Sequence, residues 1–149
     1  MSSEYPINIH LKSVDNPRII NENIDAIQGN LVLGFRTNIT LADDEYPALV
    51  LYNEILGNSP ISKLFMNIRE KHSLCYFCNS NIDSLKGIML ICCGIDNDNN
   101  QIAIDAILKE VDSMSKGNIT ENEIINAKSS LINSYKEIKD SPFSSKRLL

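Results

Sequence analysis

The sequence lacks an excess of positive charge, a long apolar run and any internal repeat. Its 149 residues carry 14 Lys and Arg against 19 Asp and Glu, a net charge of −5. A sequence-independent nucleic-acid binder needs clustered basic side chains, so we expect no nucleic-acid partner. No apolar run approaches the roughly 18 residues needed to cross a bilayer, so we expect no membrane partner either.

The N-terminal residues Met1 to His10 lack the basic start and apolar centre of a secretory signal, which predicts a cytoplasmic protein. The hydrophobic content of 43% and charged content of 22% are ordinary for one globular domain. Ile7, Ile9 and Leu11 alternate with polar residues before the Asn16-Pro17 break. We therefore interpret residues 1–23 as an arm or linker. Residues 24–149 form one domain, which we expect to be a piece of a longer chain.

Apolar spacing predicts three strands and four helices. The predicted strands are Ile24–Asn38, Leu74–Ile82 and Ile88–Cys93, the last of them buried on both faces, and Asp83–Gly87 forms a hairpin between the last two. The first helix has the buried stripe Ala48, Leu49, Tyr52, Ile55 and Leu56, with Asp43 or Asp44 as its cap and Gly57 at its end. The second helix buries Ile61, Leu64, Phe65 and Ile68 and closes with Arg69 and Lys71.

The last two helices are predicted from the same apolar spacing. One buries Ile104, Ile107, Leu108 and Val111 and stops at Gly117, and the other buries Ile124, Ala127, Leu131 and Ile138. Thr120 and Glu123 form a capping box for the final helix. A hairpin backed by helices predicts the α+β class, a mainly antiparallel sheet with helices packed on one face.

Four cysteines, Cys75, Cys78, Cys92 and Cys93, invite a zinc or redox interpretation. If Leu74–Ile82 is a strand, Cys75 and Cys78 point to opposite faces, and so do the adjacent Cys92 and Cys93. A tetrahedral site needs thiolates that converge. We therefore expect small buried residues in a reducing compartment, and a cysteine-based module is the least favoured alternative.

Arg69 and Tyr76 are the candidate site residues. A guanidinium on the last helical turn and a phenol early in the next strand can face one cleft, hold a peptide carbonyl and stabilise negative charge on its oxygen. The alternative from spacing alone is a surface ion pair for Arg69 and a core position for Tyr76.

The run from Ser62 to Tyr76, S-K-L-F-x-x-I-R-E-K-x-x-L-x-Y, resembles the insulinase/pitrilysin-like zinc metallopeptidases, or inverzincins. Two flanking segments, 28–35 and 117–128, are similar to other parts of the same C-terminal domain, and the resemblance spans residues 24–140. It is nearest to the bacterial peptidase-like subfamily, whose members often work as unequal pairs. The Asn58-Ser59-Pro60 turn departs from the family, which usually has a glycine-rich turn there.

The resemblance implies the zinc-free half of an α/β roll, in which Arg69 and Tyr76 bind substrate in trans. The H-x-x-E-H motif is absent, since His10 and His72 lie far apart and His72 reads as an exposed loop residue. We therefore expect no metal or other cofactor in this chain and zinc in a complementary half or partner chain. The implied substrate is a peptide or protein. The alternative is a catalytically inactive structural or assembly domain of the same fold.

Overall fold

A computed structural model describes residues 14–140, apart from the side chain of Asn97. The predicted alternation at residues 7–11 and His10 lie outside the described residues. Three antiparallel strands form one sheet in the order β1-β3-β2. Their bounds are Gly29–Arg36 for β1, Phe77–Asp83 for β2 and Ile88–Ile95 for β3.

The hairpin between β2 and β3 is confirmed. Asp83 Oδ1 accepts hydrogen bonds from the N–H groups of Leu85 and Lys86, at 3.1 and 3.0 Å. Gly87 closes the turn at φ 61°, a left-handed conformation that suits glycine. This turn sets the register that places Cys78 opposite Cys93 and Ser80 opposite Ile91.

The helices begin with α1, Tyr46–Asn53, which continues as a π-helical turn over Glu54–Asn58. A second π-helical segment, Phe65–Lys71, precedes β2 and is called the site helix below. A 3₁₀ turn, Asn97–Asn99, leads into α2, Asn100–Ser115, and α3 spans Glu121–Asp140. No helix in the described part of the chain is long and apolar enough to cross a membrane.

The core lies between one face of the sheet and the helices, which confirms the α+β prediction. The sheet contributes Ile91 and Ile95, which are fully buried, and the helices contribute Leu56, Leu64 and Ile107. Burial alternates along β1 and β2, as expected for strands with one face on the core.

The prediction that β3 is buried on both faces is wrong. Met89, Ile91 and Cys93 are buried on the core face, whereas Leu90 and Cys92 on the outer face are only half-buried. The central strand is flanked by a partner on each side, but no helix among the described residues covers its outer face. Here the continuous apolar run marks the central strand of the sheet, and it does not mean that both faces of that strand are covered.

Several helix positions also differ from the prediction. Ile61 is exposed because it lies in the turn before the helix, and Ser62 is buried there instead. Ala48, Leu108 and Ile138 are exposed as well, which narrows the buried stripes of α1, α2 and α3.

The predicted aspartate cap of α1 is wrong. Asp43 accepts hydrogen bonds from the Thr40 N–H and hydroxyl, so it closes the preceding turn, and Glu45 occupies the N-cap position without a side-chain bond. These Thr40 donors lower the pKa of Asp43.

The predicted caps of the last two helices are confirmed. Gly117 ends α2 at φ 82°. Thr120 and Glu123 bond reciprocally: the Thr120 N–H donates to Glu123 Oε2 at 2.8 Å, and the Glu123 N–H donates to Thr120 Oγ1 at 3.2 Å.

Candidate functional site

A cavity lies beside the first residues of β2, where the end of the π-helical turn meets the site helix. Its volume is about 300 Å³, and its only charged lining residue is Arg69. Two asparagines and two phenylalanines line the cavity together with smaller residues. The lining residues are Gly57, Asn58, Ser59, Pro60, Phe65, Arg69, Phe77, Cys78 and Asn79. We call this cavity the β2 groove.

Two π-helical segments shape the β2 groove. Such segments are rare, and they occur frequently at functional sites. The first ends with the Ser59 N–H donating to Glu54 O at 3.4 Å, which is an i to i+5 bond. The second carries Arg69 near its end, and the preceding residue, Ile68, is buried in the core. Burial of Ile68 therefore fixes the direction in which Arg69 leaves the helix.

Arg69 is held by an aromatic contact more than by an ion pair. Its guanidinium carbon lies 4.8 Å from the centroid of the Phe65 ring, one turn earlier on the same helix. Its Nε is 3.9 Å from Glu70 Oε1, too long for a strong hydrogen bond. The side chain is 43% exposed. The guanidinium is thus held over a ring, and Arg69 lines the groove.

Tyr76 does not line the β2 groove. It precedes β2, which begins at Phe77, and its N–H donates to Gly94 O at 2.7 Å, so the backbone is already fastened to β3. The phenol is 58% exposed and donates to Asp96 Oδ1 at 2.8 Å. This hydrogen bond, together with the Asp96 charge, raises the pKa of Tyr76. The structure therefore places Arg69 in the last turn of the site helix, lining the groove, and Tyr76 immediately before β2, outside the groove.

A buried carboxylate binds Asn58, one of the residues that line the groove, and it was not identified from the sequence. Glu54 is only 3% exposed. It accepts hydrogen bonds from Asn58 Nδ2 at 2.5 Å and from the Ser130 hydroxyl of α3 at 2.6 Å. The four-residue spacing of Glu54 and Asn58 was the available signal. With its Nδ2 bound to Glu54, Asn58 presents its side-chain oxygen as the acceptor for an incoming donor.

The same turn packs closely on β2. Ser80, which is fully buried, donates its hydroxyl hydrogen to Asn53 Oδ1 at 2.7 Å. A Cβ added to Gly57 would lie 2.6 Å from Ser80 Oγ and 2.7 Å from Ser80 N. Only glycine lets the floor of the groove approach the strand this closely.

The prediction that the cysteines of each pair point to opposite faces of the sheet is correct for Cys92 and Cys93 and wrong for Cys75 and Cys78. The prediction that all four are buried holds for Cys78 and Cys93, whereas Cys75 and Cys92 are half-buried. Cys93 is buried on the core face and Cys92 lies on the outer face. Cys75 precedes β2, so the strand alternation does not apply to it. Cys78 and Cys93, directly opposed in register, bring their sulfur atoms within 2.8 Å of each other.

The described residues contain no group of three or more His, Cys, Asp or Glu side chains arranged to hold a metal ion. All four cysteines are free thiols. His72 is exposed in the turn after the site helix, as predicted.

Comparison with known proteins gives consistent matches. Residues 6–131 match the family described as the peptidase M16 inactive domain. A curated protein of Bacillus subtilis (strain 168), "Probable inactive metalloprotease YmfF", is 35% identical over 136 residues. That match covers 91% of this chain and 32% of the relative, so the chain spans about a third of the relative's length.

Two solved structures have the same fold. A conserved protein from Enterococcus faecalis V583 superposes with a TM-score of 0.77 at 37% identity, covering 82% of this chain and 29% of that one. A peptidase M16 inactive domain from Pseudomonas fluorescens superposes with a TM-score of 0.67 at 25% identity, covering 73% of this chain and 27% of that one.

Proposed function

The chain belongs to the peptidase M16 inactive-domain family, and from this premise we propose that it is the substrate-binding, zinc-free half of a two-half zinc peptidase. In this proposal the complementary half carries the zinc ion, which would polarise the scissile carbonyl and activate water there. The residues of this chain bind and orient the peptide. The observation that carries the proposal is the single guanidinium of Arg69 in the β2 groove.

The chemistry of the β2 groove suits an extended peptide. Peptide groups need paired donors and acceptors when they leave water, and the wall offers the Asn58 and Asn79 amides together with the Arg69 donors. The rings of Phe65 and Phe77 give an apolar surface for a side chain of the peptide. β2 is also an edge of the described sheet, so its backbone can pair with an added strand.

The two candidate residues have distinct roles in this proposal. Arg69 donates to a peptide carbonyl oxygen and stabilises negative charge as it develops. Tyr76 can donate a hydrogen bond to the same peptide only if its hydroxyl leaves Asp96, because that bond uses the one phenolic hydrogen. We therefore assign Arg69 the larger contribution to transition-state binding. The contribution of Tyr76 depends on breaking its hydrogen bond to Asp96.

Peptide hydrolysis by the assembled protein tests this proposal. The wild type is compared with Arg69→Ala and Tyr76→Phe, each reconstituted with the zinc-bearing half. Loss of a transition-state donor typically lowers kcat by about 10²–10³, and we expect such a loss for Arg69→Ala at unchanged zinc content. Met66→Ala is the matched control because it changes an exposed residue of the same helix. Wild-type rates in both site variants would overturn the proposed roles.

A second candidate function is a structural or assembly domain that retains the fold without turnover. Two observations favour it: the Bacillus subtilis relative is named as inactive, and apolar side chains lie on the outer face of the sheet. These include Val32, 58% exposed, and Phe77, 41% exposed. An assembly domain predicts a stable complex with its partner half and no hydrolysis by any combination of variants. Measuring complex mass and hydrolysis on the same sample separates the two functions.

A further inference from the structure

Three of the four cysteines lie at one place in the fold. Cys78 on β2 and Cys93 on β3 are opposed in register, and their sulfur atoms are 2.8 Å apart. A disulfide bond is about 2.05 Å long, so the two sulfurs need to approach by less than 1 Å. Both residues are buried, with exposures of 4% and 1%, although Cys78 is one of the residues that line the β2 groove.

Cys75 is more exposed to solvent than either residue of this pair. It is half-buried and precedes the strand that carries Cys78. A hydrogen bond from the Cys78 thiol lowers the pKa of Cys75, burial opposes this effect, and the charge of Arg69 adds to the lowering. Hydrogen bonds with the Cys75 and Cys93 thiols, together with burial, raise the pKa of Cys78. A reactive cysteine combines partial exposure with an electropositive neighbour, and Cys75 has both.

We infer that Cys75, Cys78 and Cys93 form an oxidation site for small peroxides, in which Cys75 reacts first and the stable product is a Cys78–Cys93 disulfide across the two strands. The inference rests on the cysteine geometry and is independent of peptide binding. Cys92 takes no part, because it lies on the outer face of the sheet.

The chemistry balances in three steps. The Cys75 thiolate attacks one oxygen of hydrogen peroxide, the O–O bond breaks, and sulfenic acid and hydroxide form; the hydroxide takes up the proton that the thiol released and leaves as water. The Cys78 thiol then attacks the Cys75 sulfur, and a second water leaves with the Cys78 proton. Finally, the Cys93 sulfur attacks the Cys78 sulfur, the Cys75–Cys78 disulfide bond breaks, and the departing Cys75 thiolate takes up the proton that Cys93 loses. Overall two thiols lose two electrons and peroxide gains them.

The test is peptide mapping of the full chain after treatment with hydrogen peroxide, with free thiols blocked before digestion. We expect a Cys78–Cys93 disulfide as the main product. Cys75→Ser should slow its formation by about tenfold or more, because the reactive thiol is lost. Cys92→Ser should leave the rate unchanged and serves as the matched control. Circular dichroism of each variant confirms that the fold is retained.

The variant Cys93→Ala tests the order of the steps. It should accumulate the first disulfide, Cys75–Cys78, because the exchange partner is gone. Two results would overturn the inference: Cys78 and Cys93 remain reduced in the wild type while Cys75 is oxidised further to sulfinic acid, or Cys75→Ser forms the Cys78–Cys93 bond at the wild-type rate. The wild-type mapping alone decides the first of these, whatever the stability of the variants.

Discussion

Gly57 lies where the backbone of a neighbouring strand leaves no room for a side chain. A methyl group there would meet the backbone nitrogen of Ser80 at 2.7 Å, and a strand backbone fixed by hydrogen bonds cannot move aside cheaply. We expect Gly57→Ala to lower the free energy of unfolding by about 1–3 kcal/mol, as overpacking does in well-packed interiors. Urea denaturation measures this change.

Gly34→Ala is the control for Gly57→Ala. A Cβ at Gly34 would lie 3.5 Å from Leu90 Cδ2, an ordinary van der Waals contact, in an extended strand that any residue can adopt. We expect a change near zero or a slight stabilisation, because alanine restricts the unfolded chain. Equal losses in the two variants would show that close packing against Ser80 is not the cause.

Glu54 contributes to stability through the two hydrogen bonds that its buried carboxylate accepts. Hydrogen bonds to charged groups are worth about 1.5–3 kcal/mol each, but a buried charge also carries a desolvation cost. We expect Glu54→Ala to lower the free energy of unfolding by about 2–3 kcal/mol.

The control for Glu54 is Glu137→Ala, which removes an exposed carboxylate from α3 and should change stability by less than about 0.5 kcal/mol. Peptide affinity measured on the same samples reports whether Asn58 still binds the peptide once its hydrogen bond to Glu54 is lost. A stable Glu54→Ala protein would contradict the supporting role of this carboxylate.

The sequence predicted which of these residues are buried better than it predicted their contacts. Leu64 and Ile68 follow from helical spacing, and both are buried. Ile61 fits the same spacing but lies outside the helix, and periodicity carries no information about where a helix starts. The Glu54–Ser130 bond joins residues 76 positions apart, so only the tertiary fold can reveal it.

At the scale of elements, the capping box of α3 predicts a pH dependence. Desolvation alone would raise the pKa of Glu123, but the Lys63 ammonium, 2.7 Å away, and the Thr120 donors together lower it. Because the folded pKa lies below the unfolded value, the stabilisation is fully present above the unfolded pKa. It is lost as the pH falls through the folded pKa.

We therefore expect the free energy of unfolding to fall as the pH drops below about 4.5, and to fall less steeply in Glu123→Gln. Glutamine keeps an acceptor for the cap but does not titrate. Glu137→Gln controls for the change in net charge. Identical pH profiles for Glu123→Gln and the wild type, measured by denaturation between pH 3 and 7, would show that the cap does not depend on the Glu123 charge.

The π-helical segments mark the limit of pattern-based prediction for elements. Hydrophobic spacing distinguishes helix from strand, and it correctly predicted the order strand, helix, helix, strand, strand, helix, helix. A π-helix uses i to i+5 bonds over a few residues, and no spacing rule identifies it. The start of β2 was missed by three residues, which was enough to misplace Cys75 relative to Cys78.

At the scale of the molecule, burial is concentrated around β3 and falls off along α3. Ile91, Cys93 and Ile95 on the central strand are at most 1% exposed. On α3 the last buried residue is Ala127, and Ile132, Tyr135 and Ile138 are all more than half exposed. Local stability follows local burial, so these two regions should open independently.

Native-state hydrogen exchange measures this difference. We expect the amides of Ile91 to Cys93 to exchange only through global unfolding. Those of Ser134 to Ile138 should exchange through local fraying, with protection lower by about 10² or more. Protection of the α3 residues equal to that of β3 would mean that another surface covers the helix. A dilution series then identifies that surface. If protection decreases as the protein is diluted, the covering surface is a second copy, because association depends on concentration. If protection stays constant, the contacts lie within one chain.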